Sequence, residues 1–304
     1  MMDGKLLKER LRRLLNEDLG SGFLDDKTTY DFCYEAALAT AQVLQNLKAT
    51  TTITTVANQS TYTLPADFSN LYLRDNSNRL YVKYYDGSGY TFITHEDYER
   101  IVYNNNTSGA TVPDKFTIMD YPSLATNVTG TATSANDDVG GKSSLIDTTK
   151  TFVSTVSVGD SVHNTTDGSA GLVLEVTSNT QIEVALFGGT DNEWDVSDAY
   201  VIVPQGRVQL ILDPMPTTAG HTVTVYYVQR PVPVYSDYDT YRFQPQFLNA
   251  LVKYAAWLYK YRDQEPKFGD AYYLFWQREL KENKSYSNKA LNNVGFSVNF
   301  KKRR

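Results

Sequence analysis

The alternation of hydrophobic residues predicts an α+β protein: a helical bundle of N- and C-terminal helices with an antiparallel β-sheet region, plus an inserted small all-β domain. Three observations carry this. The apolar period is helical at both ends of the chain, it shortens towards two in the middle, and one middle segment departs from the rest in charge and tyrosine content. Between Leu124 and Pro204, eleven acids stand against two bases, Lys142 and Lys150, giving net −9 in a chain of net −6. Of the 23 tyrosines, only Tyr200 lies there.

Leu6, Leu7, Leu11, Leu14 and Leu15 recur at helical spacing, with Lys5, Lys8, Arg12 and Arg13 on the other face. Gly20, Ser21 and Gly22 end this helix. A second helix is predicted from about Thr28 to Lys48, its apolar side formed by Phe32, Ala36, Ala39, Val43, Leu44 and Leu47. From Thr51 threonines and aromatics replace alanine and leucine in short antiparallel strands (TTITT, TYTL, LYLR, RLYVKYY, YTFIT), with Asp86-Gly87 as a hairpin signal. Thr94 and Asp97 have capping-box spacing and predict a short helix from Thr94 to Tyr103. KFTIMDY is a further strand. RVQLILDPMP and HTVTVYYVQRP read as a pair of strands joined by a Pro/Gly turn.

The strand pattern resumes after residue 205 as though the preceding stretch were absent, which marks 124–204 as an insertion. Its strand signals are TKTFVS, DSVHNT, GLVLEVTS, TQIEVAL and AYVIV, and its Gly/Ser/Thr/Asp-rich flank TNVTGTATSANDDVGGKSS is expected to be flexible. The chain closes with two helices. Pro245 opens the first, with Phe247, Leu248, Leu251, Val252, Ala255, Leu258 and Tyr259 as its stripe. Gln264-Glu265-Pro266 forms the turn, and Phe268, Tyr272, Phe275, Trp276 and Leu280 form the second stripe. The organisation expected is a core of 1–123 and 205–285, the inserted module of 124–204, and an extended basic tail of 286–304. In that tail Phe296, Val298 and Phe300 alternate ahead of Lys301, Lys302, Arg303 and Arg304.

The composition excludes several classes. A net charge of −6 argues against a protein that coats nucleic acid. The charged N-terminus lacks the apolar core of a signal peptide, and no stretch approaches the about 18 apolar residues of a membrane span, so a soluble protein with no secretory export is expected. The single cysteine, Cys33, sits in a helical pattern and reads as a buried thiol.

Catalytic signals fail in turn. His95, His163 and His221 share no local element, which leaves no sequence-local metal site or Ser-His-Asp site. Gly140-Gly141-Lys142-Ser143 resembles the end of a phosphate loop, but Asn136 stands where the first glycine belongs and a strand follows, so it reads as a flexible hinge. Gly87-Ser88-Gly89 and Gly168-Ser169-Ala170-Gly171 miss the nucleophile elbow and read as turns. Asp191, Glu193 and Asp195 alternate as in a calcium loop, but Val196 holds the glycine position, and these are read as solvated turn carboxylates. The abundant tyrosines read as core and interface residues, which suits surfaces buried only between subunits. No enzyme, cofactor or metal is expected.

The order of elements carries a resemblance. Two N-terminal helices, the phrase Y-T-L-P-A-D-F (Tyr62 to Phe68), a capped helix, P-D-K-F (Pro113 to Phe116), L-x-L-x-P-x-P (Leu210 to Pro216), V-x-V-x-Y-Y-x-x-R-P (Val223 to Pro231) and a closing helical hairpin resemble the head-to-tail adaptor, or connector, proteins of tailed bacteriophages. The insertion resembles a small β module of phage structural proteins, and its presence departs from the minimal adaptor pattern. The resemblance implies a virion protein of the neck, assembled in the host cytoplasm as a dodecameric ring. Its implied partners are the portal protein and a tail or stopper ring protein, with genomic DNA passing through the channel without sequence-specific binding, and no membrane. Candidate partner-binding residues are Phe296, Val298, Phe300, Lys301, Lys302, Arg303 and Arg304 of the tail, with Lys5, Lys8, Arg12 and Arg13 of the first helix. A tail-associated receptor- or carbohydrate-binding β protein is the competing reading, distinguished by trimeric symmetry. A phage lysin is the third, and no constellation of acids and histidines supports it.

Overall fold

A computed structural model of the chain describes residues 2–17, 24–71, 73–74, 79–80, 82–104, 109–121, 126–136, 141–262 and 266–292. A two-residue strand β1 (Met2–Asp3) leads into α1 (Gly4–Leu15) and α2 (Asp26–Leu44). Strands β2 (Lys48–Thr54), β3 (Thr61–Thr63), β4 (Phe68–Leu71), β5 (Leu73–Arg74), β6 (Arg79–Leu80), β7 (Val82–Tyr85), β8 (Tyr90–Phe92) and β9 (Thr94–His95) follow, then α3 (Tyr98–Asn104) and β10 (Lys115–Tyr121). Next come β11 (Val128–Thr131), β12 (Ser143–Ile146), α4 (Phe152–Thr155), β13 (Ser161–Asn164), β14 (Ser169–Ser178), β15 (Gln181–Phe187) and β16 (Ala199–Val203), the stretch expected to be an insertion. After it come β17 (Arg207–Asp213), β18 (Thr222–Gln229), β19 (Thr240–Tyr241), α5 (Leu248–Arg262) and α6 (Pro266–Asn292). The protein is therefore mixed α and β with antiparallel sheets, as the periodicity predicts, but strands predominate.

The chain folds as two compact units, residues 1–44 with 240–304, and residues 45–239. In the first unit, the Asp3 carboxylate caps α1 by accepting from the Leu6 amide at 2.7 Å, and Asp25 does the same for Thr28 at the start of α2 at 2.6 Å. Helix α5 lies against α6, α2 and α1, and β1 pairs with β19. Leu7, Leu11, Ala36, Ala37, Leu251, Ala255 and Ala256 are among its buried residues. Trp276 of α6 is buried and donates through Nε1 to the Thr40 hydroxyl of α2 at 3.1 Å. Two expectations shift here. Phe275 is half exposed instead of lying on the α6 stripe, and α6 continues to Asn292, beyond the Ser285 limit expected for the last helix. The Gln264-Glu265 turn lies outside the described residues.

In the second unit two sheets share one core. One has the order β3-β17-β10-β9, and the other β2-β18-β7-β8 with β4 also on β18. Tyr62, Phe116, Leu210 and Leu212 from the first meet Phe68, Val82, Tyr84, Val223, Val225 and Tyr227 from the second. Burial of each such side chain contributes about 1.5–3 kcal/mol. The strands RVQLILD and TVTVYYVQ are thus not paired with each other as expected. Each carries apolar residues that must face the core from opposite sides, so the Pro214–Pro216 turn carries the chain from one sheet to the other. The hairpin at Asp86-Gly87 joins β7 to β8 as predicted, its Asp86 carboxylate accepting from the Ser88 and Gly89 amides at 2.8 Å. Helix α3 begins four residues later than expected: Thr94 is in β9, which pairs parallel with β10, and the Asp97 backbone carbonyl accepts from the Arg100 and Ile101 amides to open the helix.

Strands β11 to β16 form their own six-stranded antiparallel sheet, β11-β16-β13-β14-β15-β12, around Leu145, Phe152, Val162, Val173, Ile182, Val184, Trp194, Tyr200 and Ile202. The Thr133 amide reaches the Ile146 carbonyl at 2.8 Å, bringing the outer strands β11 and β12 together at one end. Two readings of this segment are corrected. TKTFVS holds the single-turn helix α4, because Phe152 turns fully into the core. The flank expected to be flexible contains β11 and the start of β12, which pair with β16 and β15.

Candidate interaction surfaces

The outer face of the β2-β18-β7-β8 sheet is a candidate surface, and strand alternation builds it. With Val82, Tyr84, Val223 and Val225 turned inward, every second residue points away from the core. The register aligns Thr54, Thr222, Tyr85 and Tyr90 in one row, Thr52, Thr224, Lys83 and Phe92 in the next, and Thr50 beside Tyr226. Tyr90 is 66 % and Phe92 56 % exposed. Tyr85 and Tyr90 touch with ring centroids 4.8 Å apart, and Lys83 lies over the rings of Phe92 and Tyr226 at 5.4 and 5.1 Å. No acid stands in these rows. Lys48, exposed at the start of β2, stands beyond these rows, so the middle of the face is threonines and aromatics around Lys83, the composition of an interface centre.

A second surface lies at the foot of the inserted module. An open groove of about 620 Å³ is lined by Phe68, Tyr121, Gln205, Arg207 and Arg230, among others. Two of the phrases that carry the resemblance meet beside it. The Asp67 carboxylate accepts from Tyr227 at 2.9 Å and from Gln229 at 2.8 Å, the Asp67 carbonyl accepts from the Arg230 amide at 2.6 Å, and Phe68 stacks on Tyr227 at 5.5 Å. Burial, with the Asp67 carboxylate beside it, pushes the Tyr227 hydroxyl pKa up. Arg207 reaches the fully buried Asp160 of the module at 3.3 Å.

The predicted partner-binding residues of α1 separate into two pairs. Lys5 and Arg13 are exposed. Lys8 and Arg12 are buried: Lys8 Nζ reaches the Asp26 carboxylate at 3.0 Å, and Arg12 reaches the same carboxylate at 2.7 Å and the Leu24 carbonyl at 2.8 Å. They bind α1 to the start of α2. The expected face is nonetheless continued by Arg10, which is exposed. Phe296, Val298, Phe300, Lys301, Lys302, Arg303 and Arg304 lie outside the described residues.

The residues weighed for chemistry take structural places. His95 is exposed and packs edge-on to Phe116, His163 is exposed on β13, and His221 Nδ1 lies 2.8 Å from the buried Tyr84 hydroxyl. Lys142 pairs with Asp239 at 2.7 Å and the Ser143 hydroxyl donates to the Asn136 carbonyl, so these two residues are anchored instead of serving as a flexible hinge, while Gly140 lies outside the described residues. Asp191 accepts from the Glu193 amide within the turn. Among the described residues no group of three or more His, Cys, Asp or Glu could hold a metal ion, and no helix is long and apolar enough to cross a membrane. Sequence reasoning missed the buried polar residues Asp147, Asp160, Asn164 and Asp198, because isolated polar residues in an acidic, turn-rich segment carry no signal of burial.

No curated protein matches the chain. Residues 2–133, which run from β1 through β10 to the first strand of the module, match the family described as SU10 adaptor protein. That match makes the chain similar to a family of phage structural proteins and supports a phage head-to-tail adaptor.

Proposed function

We propose that the chain is a virion structural protein that forms a ring between portal and tail, extends the DNA channel and docks tail components, without catalysis. The match of residues 2–133 to the SU10 adaptor protein family carries this reading. The threonine and aromatic sheet face supports it, because rows of threonines and aromatics without an acid, on a chain of net −6, suit contact with a neighbouring subunit. In this reading α1, α2, α5 and α6 form the helical bundle of the subunit, residues 124–204 form an inserted module, and the ring is a dodecamer. Lys5, Arg10 and Arg13, with Phe296 to Arg304 of the tail, contact the portal or the tail ring. Lys8 and Arg12, committed to Asp26, stay within the subunit.

The aromatic face also suits a carbohydrate-binding tail protein, and symmetry separates the two readings. Co-expression with the portal, followed by mass measurement of the complex, is expected to give a ring of many copies bound to portal. A stable trimer without portal affinity would sink the adaptor reading.

A further inference from the structure

Between β18 and β19 the chain runs from Arg230 to Asp239 without helix or strand, and the next residue, Thr240, belongs to the helical unit. This strap is irregular yet largely buried: Val234, Tyr235 and Ser236 are 2 %, 7 % and 0 % exposed. Irregular backbone normally lies on the surface, since its polar groups need partners there. The inserted module grips the strap at two points. Phe187, the last residue of β15, packs its ring on Tyr235 with centroids 5.8 Å apart. Gly141 lies so close to the Tyr235 carbonyl that a Cβ would stand 2.8 Å from that oxygen, and its φ of +89° also favours glycine. At the far end, Lys142 Nζ meets the Asp239 carboxylate at 2.7 Å, with both side chains mostly shielded from water.

The module is tied to the sheets as well. The buried Asp160 carboxylate accepts from the Gln205 amide at 3.1 Å and from Arg207 at 3.3 Å, while Gln205 Nε2 donates to the Val158 carbonyl at 2.9 Å. The module is therefore fixed at its foot and holds the strap with its other contacts. We propose that the inserted module is a clamp on residues 231–239, which couples its position to the stretch of chain that enters the C-terminal helices. A protein that loads the module thereby changes the freedom of that connection. The coupling does not depend on the adaptor reading, and a clamp would serve any partner of the module.

Hydrogen exchange on the full chain, read by mass spectrometry, tests this. Lys142→Asp and Asp239→Lys are each expected to raise exchange in peptides over 231–239 by about three- to tenfold, and the Lys142→Asp/Asp239→Lys double variant to restore it. Phe187→Ala is expected to raise the same peptides. Peptides over 161–203 report whether the module itself stays folded, and if Phe187→Ala disturbs them, the charge reversals decide alone. Strap exchange equal to wild type in both single reversals would overturn the clamp.

Discussion

The Tyr200 hydroxyl donates to the Asp147 carboxylate at 2.7 Å in the core of the inserted module. Burial works against charge on Asp147, yet the hydrogen bonds from Thr149 and Tyr200 together outweigh it and hold the carboxyl below its ordinary value of 3.8. Gly130 of β11 leaves room for the pair: a Cβ there would stand 2.6 Å from both oxygens.

Tyr200→Phe removes one bond to a buried carboxylate and is expected to destabilise the module by about 1.5–3 kcal/mol at neutral pH. A carboxyl with a depressed pKa contributes stability above its unfolded value and loses it as pH falls through the folded one. The difference between wild type and Tyr200→Phe should therefore shrink below the ordinary carboxylate value. Thermal unfolding from pH 7 down to pH 3 checks this, and a pH-independent gap would refute it.

Asp26 carries two buried cations of α1. Asp26→Ala removes this carboxylate from Lys8 and Arg12 and is expected to cost about 1–3 kcal/mol, the lower end being favoured because the Asp26 side chain is itself half exposed. Lys5→Ala with Arg13→Ala is expected to change stability by less than about 0.5 kcal/mol. Denaturant unfolding of the two variants separates the buried pair from the exposed one.

Tyr90→Ser with Phe92→Thr keeps the strand pattern while removing the two most exposed rings of the sheet face. The subunit is expected to fold with an unchanged circular dichroism spectrum and to assemble with portal at least about tenfold more weakly, as for loss of interface anchors. Assembly at wild-type concentration would assign the subunit contact to another face.

Ending the chain after Asn292, where α6 ends, removes all seven tail residues proposed to grip a neighbour. The shortened subunit is expected to fold normally and to attach less tightly to the portal or tail ring. Replacing only Lys301, Lys302, Arg303 and Arg304 with serine should flatten the salt dependence of attachment. Sedimentation across a salt series measures both.

Cys33 is buried on α2, and burial pushes its thiol pKa up to about 12. Native protein is expected to react with a thiol reagent at a rate limited by unfolding, and denatured protein at once. Rapid labelling of the native chain would place Cys33 outside the core.

Periodicity located most elements because a strand or helix half buried must alternate in step with its geometry. Leu210 and Leu212, or Val223 and Val225, are examples, and both pairs are buried. Pairing was harder to read. Nothing in RVQLILD and TVTVYYVQ says whether they meet side by side or across a core, because both arrangements bury the same residues. Charge was misleading in α1, where Lys8 and Arg12 look like solvent-facing residues but are buried and pair with Asp26 at the start of the next helix. The sheet face was legible as composition but not as a surface, since its rows come from three separate parts of the chain joined by register.

Tyr121 and Arg207 are register partners at the end of the β10–β17 ladder, and the whole inserted module hangs between them. The module's own first and last strands are also partners, with Val128 opposite Ile202. Closing a loop costs more entropy the longer it is, and pairings distant in sequence form slowly. A module that has already folded brings its two ends together, so β17 finds β10 as though across a short turn. The same shortcut serves β18 in reaching β2, β4 and β7, whose ladders span the insertion. Synthesis delivers the module before β17 emerges, and vectorial folding would thereby order assembly of the sheets from the inside of the sequence outward.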